Sequence, residues 1–256
     1  MNYDHHVHST YSDGELMRRM LDAAADAGLA GVGFADHCNV SERSVMGDTK
    51  RRLGFNMDIT YERRRAAIEA FRDERDLAIY DAVEMDYEPD DEAAIGAFLD
   101  DGDFDYALGS VHHLEDVNIH VADYFARRPE RERVALVDEY FEKLVSLIDS
   151  ELFAVASHPD LIERTPALRG LATEAHYDRV AAAFASSRTH PEVNAGRALR
   201  EYGTVHPAPA FREALIERDV PVVLGTDAHS PAALKRRVRY LDGFLEGQAL
   251  ETVRPA

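Results

Sequence analysis

Residues 3–9 read Tyr3-Asp4-His5-His6-Val7-His8-Ser9, and the period of this stretch points to the fold. In an extended strand, side chains two apart share a face. A strand over Tyr3–Val7 sends Asp4, His6 and His8 to one side, and His5 and Val7 to the other. Imidazoles two apart can grip one cation. Ser12-Asp13-Gly14 follows, placing Asp13 in the loop above the strand.

Working outward, β-type runs alternate with helix-type segments. Glu15–Ala27 reads as a helix with Leu16, Met20, Leu21, Ala24 and Ala27 on one face, and Gly28 stops it. Further strands are predicted over Leu29–Ala35, Leu77–Met85, Phe104–Ser110, Leu152–Ala156, up to Asn194 from about Glu192, and over Val220–Leu224. Helices are predicted over Thr60–Glu74, Asp90–Leu99, Pro129–Ile148, Thr173–Ala185, Pro209–Arg218 and beyond Pro231. About seven strands in βα alternation imply an α/β protein with a parallel sheet, expected as one domain over residues 1–256. A closed or nearly closed TIM-like barrel is favoured over an open doubly wound sheet. The unusual polar residues sit where strands end, and strand C-termini form the active face of such barrels.

Six clusters carry that observation: Asp4–His8, Asp36-His37, Glu84-Met85-Asp86, Ser110-Val111-His112-His113, Ser157-His158-Pro159-Asp160, and Asp227-Ala228-His229. Each alone is weak. Together they put many ionisable groups at one barrel mouth, where burial is costly unless the groups are paired or metal-bound. Cys38 is the only cysteine, so the ligands are imidazoles and carboxylates, which suits Zn, Mn or Fe. His6, His8, Asp13, His37, Glu84, His112, His158, Asp227 and His229 are enough for two or three divalent ions, with Glu84 as the bridge. Clustered cations activate water and clamp the oxygens of an in-line displacement, which points to phosphate-ester hydrolysis. No P-loop pattern occurs, which argues against nucleoside-triphosphate chemistry.

Composition narrows the partners. The 256 residues carry a formal charge of −19, and Lys50, Lys143 and Lys235 are the only lysines. An acidic surface repels nucleic acid and anionic membranes. It also matches proteins of organisms that keep molar salt in the cytoplasm, where the Debye length is about 3 Å. Neither a long apolar run nor a signal-peptide pattern is seen, and with a lone cysteine this favours the cytoplasm. Homo-oligomer formation is left open.

The clusters, joined by Phe104–Ser110 and Glu192-Val193-Asn194-Ala195-Gly196, resemble the polymerase and histidinol phosphatase (PHP) superfamily from residue 3 to residue 229. Within it they look like the monofunctional histidinol-phosphatases. The resemblance implies a distorted seven-stranded βα barrel, a trinuclear site on the nine residues above, and hydrolysis of L-histidinol phosphate in histidine biosynthesis. Asp227, His229 and Glu84 are the expected catalytic groups, with Asp227 or a metal-bound water protonating the leaving oxygen. Arg197, Arg164 and His206 are the expected substrate contacts. The chain departs from the branch at Arg197-Ala198-Leu199-Arg200, and at His206-Pro207, where a Tyr-Pro pair is usual. Two rival readings are a phosphoesterase acting on other phosphomonoesters or nucleic acid 3′ ends, and a non-catalytic assembly module.

Overall fold

The computed structural model describes residues 1–255. Seven parallel strands follow one another around a barrel: β1 (Tyr3–Val7), β2 (Gly31–Cys38), β3 (Ala78–Asp86), β4 (Tyr106–Ser110), β7 (Val155–Ala156), β8 (His190–Asn194) and β9 (Val223–Gly225). Each pairs only with its neighbours in that order. A two-stranded hairpin, β5 (His113–Leu114) with β6 (Val117–Asn118), stands above β4. The barrel is closed just beyond β9. His8 N donates to Ala228 O at 3.0 Å and Asp227 N to His6 O at 2.7 Å. Thr226 N donates to Asp4 Oδ1 at 2.9 Å. The expected nearly closed barrel is the observed one, and the open sheet is not.

The interior is filled from β2, β3, β4, β7 and β9 by Ala35, Ala82, Tyr106, Leu108, Val155 and Val223. Helices cover the outside. α1 (Met17–Asp26) buries Met17, Met20, Leu21 and Ala24, and α9 (Pro231–Leu245) packs beside it with Leu234 and Val238. The long α6 (Glu130–Asp149) buries Leu136, Tyr140, Leu144 and Leu147, which recur at helical spacing. α3 (Tyr61–Glu74), α4 (Glu92–Gly102), α7 (Glu174–Ala185) and α8 (Pro209–Ile216) complete the outer layer with the short α5 (Ala122–Ala126).

The differences from the sequence reading have local causes. Leu16 precedes α1 and is exposed. Leu152–Ala156 shrinks to two residues of strand. Val220–Leu224 shifts to Val223–Gly225 because Val222 pairs with Thr252 in the C-terminal segment. α2 (Ser44–Leu53) was not predicted. It buries only Met46, so no apolar stripe marks it. The strict alternation in β1 also fails. A bulge inserts one residue between Asp4 and Val7 relative to β2. His5, expected to point outward, instead stacks on Tyr3 and meets the interior Tyr106 edge-on. His6 and His8 still reach the barrel mouth.

Candidate metal centre

Glu84, near the end of β3, is the hub. It is fully buried and its carboxylate meets five imidazoles. Oε2 lies 2.8 Å from His37 Nδ1, 3.4 Å from His6 Nε2 and 3.7 Å from His8 Nε2. Oε1 lies 2.9 Å from His158 Nε2 and 3.5 Å from His112 Nε2, and it accepts from Ser110 Oγ at 2.7 Å. Register explains the convergence, since His37 on β2 stands directly beside Glu84 on β3.

Three groups of donor atoms could each enclose an ion: His8, Asp13, His37 and His229; His6, His8 and Asp227; and His37, Glu84 and His112. Atoms within a group lie within 4.8 Å of one another. Shared His8 and His37 join the groups into one cluster. With His158 against Glu84, the structure brings all nine sequence-predicted ligands together.

The donor chemistry fits divalent cations. Ser12 Oγ donates to Asp36 Oδ1, so it must accept from His8 Nδ1 at 3.4 Å. His6 Nδ1 donates to Glu192 Oε1 at 2.8 Å. Both Nε2 lone pairs then face each other 3.1 Å apart, an arrangement that needs a positive species between them. Glu84 Oε2 is buried without an aligned hydrogen bond. The field says the same. Burial opposes charge on His37, yet Glu84 outweighs it and raises the imidazole to about 10. Burial would raise the Glu84 carboxyl, but His37, His6 and His112 hold it well below the usual carboxylate range. His8, where burial is joined by His229 and His37, is pushed down to about 4.

Residues behind the ligands set their ring orientation. Asp86 bonds His112 Nδ1, and Glu192 bonds His6 Nδ1. Neither role was read from the sequence, although Asp86 stands two residues after Glu84 and Glu192 two before Asn194, the spacing that shares a face. Glycine at 225 is required by Glu192, whose carboxylate occupies the space a methyl would fill. Asp36 accepts from Ser9 N, Ser9 Oγ, Ser12 Oγ and the buried Arg64, fixing the turn that carries Asp13. His158 (φ 31°) and Asp227 (φ 53°) adopt left-handed backbone, which side chains other than glycine rarely do. Such strain gathers at functional sites.

The cluster floors a cavity of about 620 Å³, within the range of small-molecule sites. Arg164, Arg197, Arg200 and Arg237 line it, as do Met46, Lys50 and Leu53 of α2, and Phe55 beyond it. His113 and His120 line it too. Arg164 donates Nη2–H to Asn194 Oδ1 at 3.0 Å and to Asp227 Oδ2 at 3.1 Å. His206, expected as a substrate contact, is fully buried, does not line the cavity and accepts from Arg164 Nε–H at 3.0 Å.

Comparison with known proteins agrees with this geometry. The PHP domain family profile matches residues 4–196. A Deinococcus radiodurans protein described as a "probable histidinol-phosphatase" is 27% identical over 248 residues, covering 93% of this chain and 86% of its own. The histidinol phosphate phosphatase of Lactococcus lactis subsp. lactis, solved with Zn, L-histidinol and phosphate, superposes with a TM-score of 0.69 at 18% identity, covering 98% of this chain and 95% of that one. A candidate histidinol phosphatase of Listeria monocytogenes superposes with a TM-score of 0.75 at 18% identity, over 90% and 96% of the two chains.

Proposed function

The chain belongs to the PHP domain family, and on that premise we propose that residues 1–256 act as one metal-dependent phosphomonoesterase whose substrate is L-histidinol phosphate. One observation carries the reading: a single cavity has a Glu84-centred cluster of cation donors on its floor and guanidinium groups on its wall. That pairing suits a dianionic phosphate on a small leaving group. The Deinococcus relative and the Lactococcus fold neighbour support the choice of substrate.

His6, His8, Asp13, His37, Glu84, His112, His158, Asp227 and His229 would hold two or three divalent ions, zinc first, with manganese or iron as alternatives. Bound there, the ions would activate a water for attack on phosphorus and offset the phosphate's charge. The remaining work falls to the chain. Arg164 and Arg197 present N–H donors to the phosphate oxygens. Burial would raise the Asp227 carboxyl, but the adjoining His8 imidazole and the Arg164 charge hold it well below its usual range. Asp227 therefore acts as a ligand and an acceptor for Arg164, not as the acid for the leaving oxygen. Asp86 and Glu192 keep His112 and His6 turned toward the cluster.

The test is a comparison of substrates on zinc-reconstituted protein: histidinol phosphate, a sugar phosphate and a 3′-labelled oligonucleotide. Fastest phosphate release from histidinol phosphate is expected. Preference for either other substrate would overturn the substrate, and release from none would leave a non-catalytic module.

A further inference from the structure

Arg164 has five N–H donors. Two hydrogens on Nη2 go to Asn194 and Asp227, and Nε–H goes to His206 Nε2 at 3.0 Å. Nη1 has no hydrogen bond among the described residues, and the side chain lines the cavity. The guanidinium is thus gripped along one edge with the other edge presented to the cavity.

The grip depends on His206. An arginine Nε can only donate, so His206 Nε2 must carry the lone pair, and its proton must sit on Nδ1. That proton is given to Asp160 Oδ1 at 2.6 Å. Asp160 Oδ2 is occupied by Ala208 N, also at 2.6 Å, so the carboxylate cannot turn away. Tyr202 stacks on the imidazole with centroids 4.6 Å apart and planes 10° apart, which fixes the ring. From Arg164 the chain of bonds runs on through Asn194 to Glu192 (3.0 Å) and to His6 (2.8 Å). The junction of Arg164, Asn194 and Asp227 needs glycine at 196, since a methyl there would collide with all three.

We propose that Asp160 and His206 form a positioning pair, in which Asp160 fixes the imidazole tautomer so that His206 holds Arg164 with its Nη1 edge aimed at the substrate's phosphate. The inference rests on the phosphomonoesterase reading, and it concerns two residues that do not line the cavity. Asp160 acts at two removes. An amide at 160 would donate to Nδ1, move the imidazole proton to Nε2 and set it against Arg164 Nε–H.

The experiment uses full-length, zinc-loaded protein and two probes: histidinol phosphate turnover, and inorganic phosphate binding by calorimetry. His206→Phe keeps the stack on Tyr202 and removes the acceptor. His206→Gln restores an acceptor oxygen near the Nε2 position. We expect His206→Phe and Asp160→Asn to raise KM and weaken phosphate binding roughly tenfold, as loss of a charge-assisted hydrogen bond does, with kcat and zinc content changed less. His206→Gln should recover most of the loss. In an Arg164→Ala background, neither His206→Phe nor Asp160→Asn should weaken phosphate binding further. Equal loss in His206→Phe and His206→Gln, or full additivity with Arg164→Ala, would overturn the proposal. Should His206→Phe not fold, Asp160→Asn decides alone, and wild-type phosphate affinity in that variant refutes it. Phosphate binding is read without turnover, so a wrong substrate would leave this result standing.

Discussion

Glu192 shows what one residue's surroundings add to its identity. Its carboxylate accepts from His6 Nδ1, from His158 N at 2.9 Å and from Asn194 Nδ2. Glu192→Gln should keep the fold and lower zinc affinity about 10–100-fold, the usual cost of losing an orienting partner. Equilibrium zinc titration reads this directly. His6→Ala, which removes the ligand itself, should lose more and abolish turnover with the fold intact. Retained activity after zinc reconstitution would count against the assignment. A different residue makes a pH-dependent contribution to stability. Burial, then nearby Asp160, pushes the Glu163 carboxyl up to about 7, against 4.5 for the ordinary group. The folded chain keeps a proton that the unfolded chain releases, so this group's stabilisation is present below about pH 4.5 and is lost as pH rises through 7. Glu163→Gln should flatten the fall in Tm across that window. A Tm curve parallel to wild type would refute the shift. The candidate ligands were legible because metal chemistry restricts such residues to a few types at strand ends. Glu192 and His206 were not, because their roles depend on partners distant in sequence.

At the scale of elements, the sequence was most legible where burial is periodic. α6 and β1 fall within a residue or two of their expected ends. The bulge in β1 could not be read, because it exists only relative to the register of β2. α2 escaped for a different reason: its inner side faces the cavity and not a core, so its residues are not chosen for apolar spacing. Under the proposed function, the α2 wall is the part of the cavity expected to meet the leaving group. Phe55, just past α2, lines the cavity with its ring 6.1 Å from His37. Phe55→Ala should raise KM for histidinol phosphate roughly fivefold, the loss of about 1 kcal/mol of apolar contact. Inhibition by inorganic phosphate should not change, since that probe has no leaving group. A parallel change in both would place Phe55 in phosphate binding instead.

For the whole molecule, charge and closure dominate. A formal charge of −19 strains the folded state through self-repulsion, which salt screens. Raising KCl from 0.1 M to 2 M should lift Tm by about 5 °C, corresponding at this size to roughly 1–2 kcal/mol. An unchanged or falling Tm would remove the high-salt reading. Closure has a separate outcome. The barrel is sealed where the segment after β9 meets β1, and the donor cluster spans that seam, with His6 and His8 on one side and Asp227 and His229 on the other. These donors are roughly 220 residues apart in the chain. A ribosome adding about 5–20 residues per second makes the first pair roughly 10–45 s before the last. During that interval the early histidines stand without their partners, so under the proposed function complete loading with metal would wait until translation has passed the last strand.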